Sequence, residues 1–88
     1  MRIGRVRGSV TATIKEPRLA SSKLLVVDIE DGAGKVLEPA IVCVDTLGAG
    51  VGDIVLLVSG SAARIPSDFS GIAIDAATVA IVDEVTLA

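Results

Sequence analysis

Aliphatic residues occupy both faces of four of the five strands that this 88-residue sequence predicts. A strand with one wet face alternates between apolar and polar residues, but neighbouring pairs such as Leu24–Leu25 and Ile81–Val82 are wholly apolar. A small closed barrel needs apolar side chains on its inner face only. A two-sheet sandwich would bury both faces, but the chain is short for one. We therefore expect another subunit to cover the second apolar face, since a domain of this size is marginally stable alone.

The sequence predicts five β-strands and little else. Residues 5–14 alternate in period two, so Val6, Gly8 and Val10 are expected on one face of the first strand. Residues 31–34, Asp-Gly-Ala-Gly, are typical of a hairpin turn, because glycine reaches positive φ without steric cost. The remaining predictions are strands over residues 23–30, 40–44, 54–58 and 78–87, and one short helical turn over 60–64.

The composition removes the usual catalytic groups. The chain has no His, and His is the common general base, nucleophile activator and metal ligand. A small hydrolase would need an activated serine, and the chain has no histidine to activate one. A Ser–Lys pair through Lys23 is the alternative, but no local signature supports it. Asp28 and Glu30 share a face of a predicted strand, and we interpret them as a solvated strand edge rather than an acid–base pair. We therefore assign no residue to catalysis, to a cofactor or to a metal.

The single cysteine and the lack of a membrane span or signal peptide in the sequence indicate the cellular compartment. Cys43 lies in the apolar run 41–44 and is expected to be a buried structural thiol, which suits a reducing cytosol. No stretch approaches the roughly 20 apolar residues of a membrane span. The N-terminal arginines are not followed by the apolar segment of a signal peptide. These features predict a cytoplasmic protein, and the length of 88 residues predicts a single domain.

Charge is divided unevenly along the chain. Residues 1–35 carry seven basic and four acidic side chains, a balance of +3, whereas residues 36–88 carry one basic and seven acidic, a balance of −6. This asymmetry suits copies that meet by opposite flanks. The alternative is an OB-type nucleic-acid-binding module. The net charge of −3 and the single aromatic residue, Phe69, count against it, because such modules use a positive field and aromatic platforms.

The glycine-rich segment 48–52 has two interpretations. It is not a dinucleotide-binding loop, because the spacing is wrong and residues 53–57 predict a strand where a helix would be needed. An ordinary glycine-rich turn is one explanation. The other is that loops of several subunits crowd around a symmetry axis, where side chains larger than Ala would collide.

Segments along nearly the whole chain carry a resemblance to one family. Five segments occur in the expected order: the opening strand over residues 1–10, the second strand over 23–27, the glycine loop over 45–53, the Ser-Gly-Ser-Ala-Ala-Arg stretch over 59–64 and the final strand over 74–83. Together they resemble the pentameric vertex proteins of bacterial microcompartment shells, of the EutN/CcmL type. The resemblance implies an all-β protein, a small five-stranded OB-like closed barrel that spans residues 1–88.

The resemblance also implies a role and its partners. Flat hexagonal tiles cannot close a polyhedral shell, so a homopentamer would cap its five-fold vertices. Partners would be further copies of the chain and hexagonal microcompartment shell proteins, within the bacterial cytoplasm, without nucleic acid, membrane or cofactor. Gly48, Ala49 and Gly50 would line a narrow axial opening. The residues themselves, a lone Arg after a Ser-Ala-Ala turn in the acid-rich half of the chain, predict that Arg64 is a surface residue, a helix C-terminal cap or part of an ion pair between subunits. The residues expected at a subunit or shell interface are Ser61, Ala62, Ala63, Arg64 and Asp75.

Overall fold

Five strands close into a barrel in the computed structural model, which describes residues 1–11, 23–60 and 75–88. The strand order is β1-β2-β3-β5-β4, and β4 pairs with β1 to complete the ring. The predicted all-β, OB-like closed barrel is confirmed. The predicted helical turn lies, apart from Gly60, outside the described residues. The strands are Arg2–Val10 (β1), Lys23–Glu30 (β2), Val36–Asp45 (β3), Ile54–Ser59 (β4) and Ala76–Val82 (β5).

Several strand boundaries differ from prediction, and pairing explains three of them. β1 begins at Arg2 rather than at residue 5, because its first residues pair with β4. β3 begins at Val36 rather than at residue 40, since Val36 aligns with Glu30 across the hairpin. β5 ends at Val82 rather than at residue 87. Val82 aligns with Ile54, the first residue of β4, so the residues that follow have no β4 partner.

A bulge at Arg7 changes the facing of β1. Val6 aligns with the buried Val27, but the next aligned pair is Gly8 with Val26, which leaves Arg7 as the extra residue. A single extra residue transfers the residues that follow it to the opposite face of the sheet. The common face predicted for Val6 and Gly8 is therefore wrong.

The hairpin turn between β2 and β3 is confirmed. Gly32 and Gly34 have φ of 92° and 98°, which L side chains rarely adopt. The Asp31 carboxylate accepts the backbone N–H groups of Ala33 at 2.8 Å and Lys35 at 3.1 Å. The turn is thus held by one exposed carboxylate and by bonds within five consecutive residues.

The interior of the barrel is filled by side chains from every strand. Its wall at Gly4 has no room for a side chain, because a Cβ there would collide with Val27. Cys43 lies in the core, as predicted, and burial raises the pKa of its thiol to about 11, with a smaller contribution from the Asp45 carboxylate. The core cluster consists of Val6, Leu25, Val27, Ile29, Cys43, Ala49, Val55, Leu57 and Ala76.

Candidate assembly site

The shortest strand pairing of the barrel, between β3 and β5, lies beside the glycine-rich loop. β3 and β5 run parallel and are aligned through one pair, Val44 with Ala77. Asp45 and Thr78, the residues that follow this pair, are joined through their side chains. The Thr78 hydroxyl donates to Asp45 Oδ1 at 2.7 Å. Both residues are buried. A side-chain bond therefore joins the end of β3 to β5 where the backbone ladder is short.

The same Asp45 carboxylate organises the loop that follows β3. Its oxygens accept the backbone N–H groups of Leu47 at 3.3 Å, Gly48 at 3.0 Å and Ala49 at 3.0 Å. Asp45 is only 4% exposed, and a carboxylate removed from water needs such donors to offset its desolvation. The conformation of the loop is thus fixed from inside the protomer.

Ala49 anchors the loop to the barrel. The residue is 0% exposed and its side chain belongs to the core cluster. Lys23 Nζ donates to the Ala49 carbonyl oxygen at 2.9 Å. Because Ala49 points into its own protomer, the prediction that it lines an axial opening is revised. Gly48 and Gly50 are exposed and remain the candidates for that role.

The three glycines of the loop are present for different reasons. Gly48 and Gly52 have φ of 85° and 91°, so their backbone conformation favours glycine. Gly50 has no such φ, and a Cβ there would meet only Asp53 Oδ2, at 3.9 Å, an ordinary contact distance. The Gly50 N–H donates to the same Asp53 oxygen at 2.8 Å. Among the described residues of one protomer, a Cβ at residue 50 would meet no close contact.

The β1 arginines bind acidic residues of the same chain. Arg5 Nε lies 3.0 Å from Glu30 Oε2, and the Glu30 side chain is only 7% exposed. Arg7 Nε lies 3.6 Å from Asp28 Oδ2. The interpretation of Asp28 and Glu30 as a solvated strand edge is therefore wrong, because the antiparallel alignment of β1 and β2 brings each carboxylate to an arginine.

The remaining predicted interface residues are only partly described. Asp75 is exposed immediately before β5, and its carbonyl oxygen accepts the Gly60 N–H at 2.8 Å. Ser61, Ala62, Ala63 and Arg64 lie outside the described residues. Within the described ranges, no group of three or more His, Cys, Asp or Glu side chains is arranged to hold a metal ion. No helix in those ranges has the length and apolar character needed to cross a membrane.

Comparison with known proteins identifies the family. The family model described as "Ethanolamine utilisation protein EutN/carboxysome" matches residues 1–83. This chain belongs to the EutN/CcmL family. The resemblance inferred from the glycine loop and the Ser-Ala-Ala-Arg stretch is confirmed.

EutN/CcmL relatives match along almost the entire chain. The carboxysome shell vertex protein CcmL of Synechococcus elongatus is 46% identical over 87 residues, which cover 99% of this chain and 88% of that protein. The microcompartment shell vertex protein EutN of Salmonella typhimurium is 39% identical over 85 residues, 97% of this chain and 86% of that protein. GrpN of Rhodospirillum rubrum, described as a pentameric microcompartment shell protein, is 41% identical in its solved structure. Its TM-score is 0.88, with coverage of 100% of this chain and 99% of that chain. These relatives are named shell proteins and not enzymes.

Sequence reasoning missed the residues that hold the EutN/CcmL glycine loop in place. Asp45 precedes Leu47-Gly48, and an Asp two residues before a turn amide is the pattern of an Asx turn. That local signal could have identified Asp45. No local signal could have identified Thr78, which lies 33 residues further along the chain.

Proposed function

We propose that this chain is a vertex protein of a bacterial microcompartment shell, and that it works as a homopentamer. The observation that carries the proposal is the end-to-end similarity to relatives named shell vertex proteins and to a pentameric shell protein. The role is structural. It depends on the shape of the pentamer and on the free energy of the contacts between subunits, and no residue is assigned to catalysis.

The place of the pentamer in the shell follows from geometry. Hexagonal tiles form flat layers, and a five-fold unit introduces the curvature that closes a polyhedron. The partners are therefore other copies of this chain and hexagonal shell proteins, in a microcompartment within the bacterial cytoplasm. We propose residues 61–64 and the exposed Asp75 as the contacts to neighbouring subunits or tiles. The nucleic-acid-binding alternative has no support among the relatives, which are named shell proteins.

Gly50 provides the sharpest test of how the loop meets the five-fold axis. A Cβ at this position would make only an ordinary contact within one protomer. A Gly50→Val protein that keeps its fold but loses assembly would therefore report crowding between subunits. We expect Gly50→Val to keep its far-ultraviolet circular dichroism spectrum and to lose the pentamer in sedimentation velocity. The matched control is Ala33→Val, which adds bulk to the exposed hairpin turn. A Gly50→Val protein that stays pentameric would contradict the axial placement.

Shell closure tests the function itself. The chain is co-expressed with hexagonal microcompartment shell proteins, and the products are imaged by electron microscopy. We expect closed polyhedra with the chain present, and open sheets or tubes without it. Equal numbers of closed particles in both preparations, or closed particles that contain no copies of the chain, would overturn the proposal.

A further inference from the structure

The glycine loop, residues 46–53 between β3 and β4, has little intrinsic preference for one conformation. Three of its eight residues are glycine, and glycine loses more conformational freedom on ordering than any other residue. A loop that is free to move in the single subunit must be ordered when two copies meet, and that ordering weakens association. Contacts that hold the loop within one subunit therefore strengthen assembly.

The loop is held through both kinds of backbone group. On the donor side, Asp45 accepts the N–H groups of residues 47–49. The Gly52 N–H donates to the Val6 carbonyl oxygen of β1 at 2.9 Å. On the acceptor side, two loop carbonyl groups are bound by cationic side chains that belong to other strands. The acceptor side is the part that the Asp45 carboxylate cannot hold.

Arg5 of β1 binds the C-terminal end of the loop. Its Nη1 donates to the Gly52 carbonyl oxygen at 3.2 Å. The same guanidinium also faces Glu30 of β2, with Nε 3.0 Å from Oε2 and Nη2 3.5 Å from Oε1. Two contacts to one carboxylate fix the plane of a guanidinium. Glu30, whose side chain is only 7% exposed, therefore directs Arg5 Nη1 towards the loop.

Lys23, the first residue of β2, binds the middle of the loop. Its Nζ donates to the Ala49 carbonyl oxygen at 2.9 Å, and Ala49 is itself buried in the barrel core. Hydrogen bonds from a charged donor are shorter and stronger than those between neutral groups. The two cations thus bind carbonyl groups three residues apart, and the residues between these groups, Gly50 and Val51, are exposed.

The three arginines of β1 are not equivalent. Arg2 contacts the Glu38 carboxylate at 2.7 Å. Arg7 contacts the Asp28 carboxylate at 3.6 Å. Within residues 1–11, 23–60 and 75–88, Arg5 is the β1 arginine that bonds to a loop carbonyl as well as to a carboxylate. An ion pair between strands does not require that additional bond, so it indicates a role for Arg5 in the loop.

We infer that Arg5 and Lys23 are positioning residues for assembly, which hold the glycine loop in its assembled conformation before two copies meet. They act within the protomer, and neither cation needs to touch the neighbouring copy. The inference rests on the proposed pentamer and adds to it the residues that prepare the loop. Loss of either cation leaves the barrel folded and weakens assembly, because the loop must then be ordered on association.

The first experiment removes the ammonium group at residue 23. In sedimentation velocity, Lys23→Met is expected to raise the concentration at which half the pentamer dissociates by about fivefold or more. The matched control is Lys35→Met, which removes the same group from the exposed hairpin turn and should leave this midpoint unchanged. Lys23→Arg, which keeps a cationic donor, should recover most of the loss.

The outcomes separate the inference from the proposed function. If the unsubstituted chain is not pentameric, the proposed function fails. If it is pentameric and Lys23→Met has the same dissociation midpoint, the inference fails while the proposed function stands. The same holds if Lys35→Met weakens assembly as much as Lys23→Met does.

The second experiment tests Arg5 without leaving a buried carboxylate unpaired. Glu30→Gln keeps an oxygen that can accept from Arg5, and it serves as the reference. Adding Arg5→Gln to Glu30→Gln removes the donor to Gly52 and is expected to raise the dissociation midpoint by about fivefold or more over the reference. Equal midpoints for the single and the double variant would overturn the inference.

Amide hydrogen exchange distinguishes positioning of the loop from a general loss of stability. Below the dissociation midpoint, the N–H groups of Gly48 and Ala49 should exchange about fivefold faster in Lys23→Met than in Lys35→Met, because the loop opens more often. The N–H of Val27, in the barrel core, should exchange at the same rate in both proteins. Equal rates in the loop, or faster exchange at Val27 as well, would overturn the inference.

Discussion

Two turns of this protein are organised by an aspartate, and they differ in what the carboxylate holds together. In the β2–β3 hairpin, exposed Asp31 accepts the N–H groups of Ala33 and Lys35, both within four residues. In the glycine loop, buried Asp45 accepts three loop amides and also the hydroxyl of Thr78, which is 33 residues away. The first carboxylate shapes a turn. The second ties a turn to a distant strand.

The comparison separates a turn that is held by its neighbours in the chain from a turn that is also held by a distant strand. The hairpin turn can lose its carboxylate and still be held by the β2–β3 ladder on either side. The glycine loop has no such ladder, because the strands on either side of it, β3 and β4, are not neighbours in the barrel. The Asp45 bonds therefore support the short β3–β5 pairing and also hold the loop that carries Gly48 and Gly50, the exposed residues that we propose for the five-fold axis.

The largest expected effect comes from removing the buried carboxylate. Asp45→Ala leaves three amides and one hydroxyl without their acceptor, so we expect it to lower the free energy of unfolding by about 3–5 kcal/mol. Urea denaturation followed by circular dichroism measures the change. A loss no larger than that of Asp31→Ala would mean that the two turns are equivalent, which would contradict the comparison.

The thiol beside this carboxylate predicts a pH dependence. The pKa of Cys43 rises from 9.0 to about 11, mainly through burial and also through the charge of Asp45. The unfolded chain therefore loses the thiol proton first as pH rises. The associated stability is complete below pH 9 and is lost between pH 9 and 11, by about 2 kcal/mol at pH 11.

The control for this prediction is Cys43→Val, which removes the ionising group but keeps the core apolar. The difference in unfolding free energy between the two proteins should change between pH 9 and 11 and stay constant between pH 6 and 8. A constant difference over the whole range would show that the thiol does not ionise differently in the folded and unfolded chains.

A smaller effect is expected from changing Thr78, whose hydroxyl donates the hydrogen bond to Asp45. Thr78→Val keeps the shape of the side chain and removes the hydroxyl that donates to Asp45, so we expect a loss of about 1–2 kcal/mol. In a double-mutant cycle with Asp45→Ala, the two losses should not add, because both remove the same bond. Additive losses would mean that the hydroxyl and the carboxylate contribute independently.

The smallest effect is expected in the hairpin. Asp31→Ala removes two bonds to exposed amides, which water can replace, so the loss should be about 1 kcal/mol or less. The native mass should not change. A loss as large as that of Asp45→Ala, or dissociation of the pentamer, would assign the hairpin turn a role that its solvent-exposed bonds do not predict.

The same contrast explains how much could be predicted from the sequence. The hairpin turn, the bounds of β2 and the burial of Cys43 depend on neighbours in the chain, and all three predictions are confirmed. The facing of β1 depends on a bulge opposite β2, which the alternation of residues does not reveal. The inward position of Ala49 depends on bonds to Asp45 and Lys23, which meet only after the barrel closes.

For the assembly site, the sequence identified the loop but not what holds it. The glycines of segment 48–52 predicted a sharp turn, and the family resemblance assigned that turn to the axis. Only the backbone geometry separates the glycines, because Gly48 and Gly52 have positive φ and Gly50 does not. Small size at residue 50 is therefore the feature of the loop that points beyond the single subunit.

Native mass spectrometry of the purified chain, followed through serial dilution, tests the account most directly. A homopentamer should appear as five copies of 8.9 kDa, a 44.5 kDa particle, with no dominant dimer on the way to dissociation. A folded 8.9 kDa subunit that stays soluble and single at every concentration would contradict the account, since its exposed apolar faces would then need no second copy.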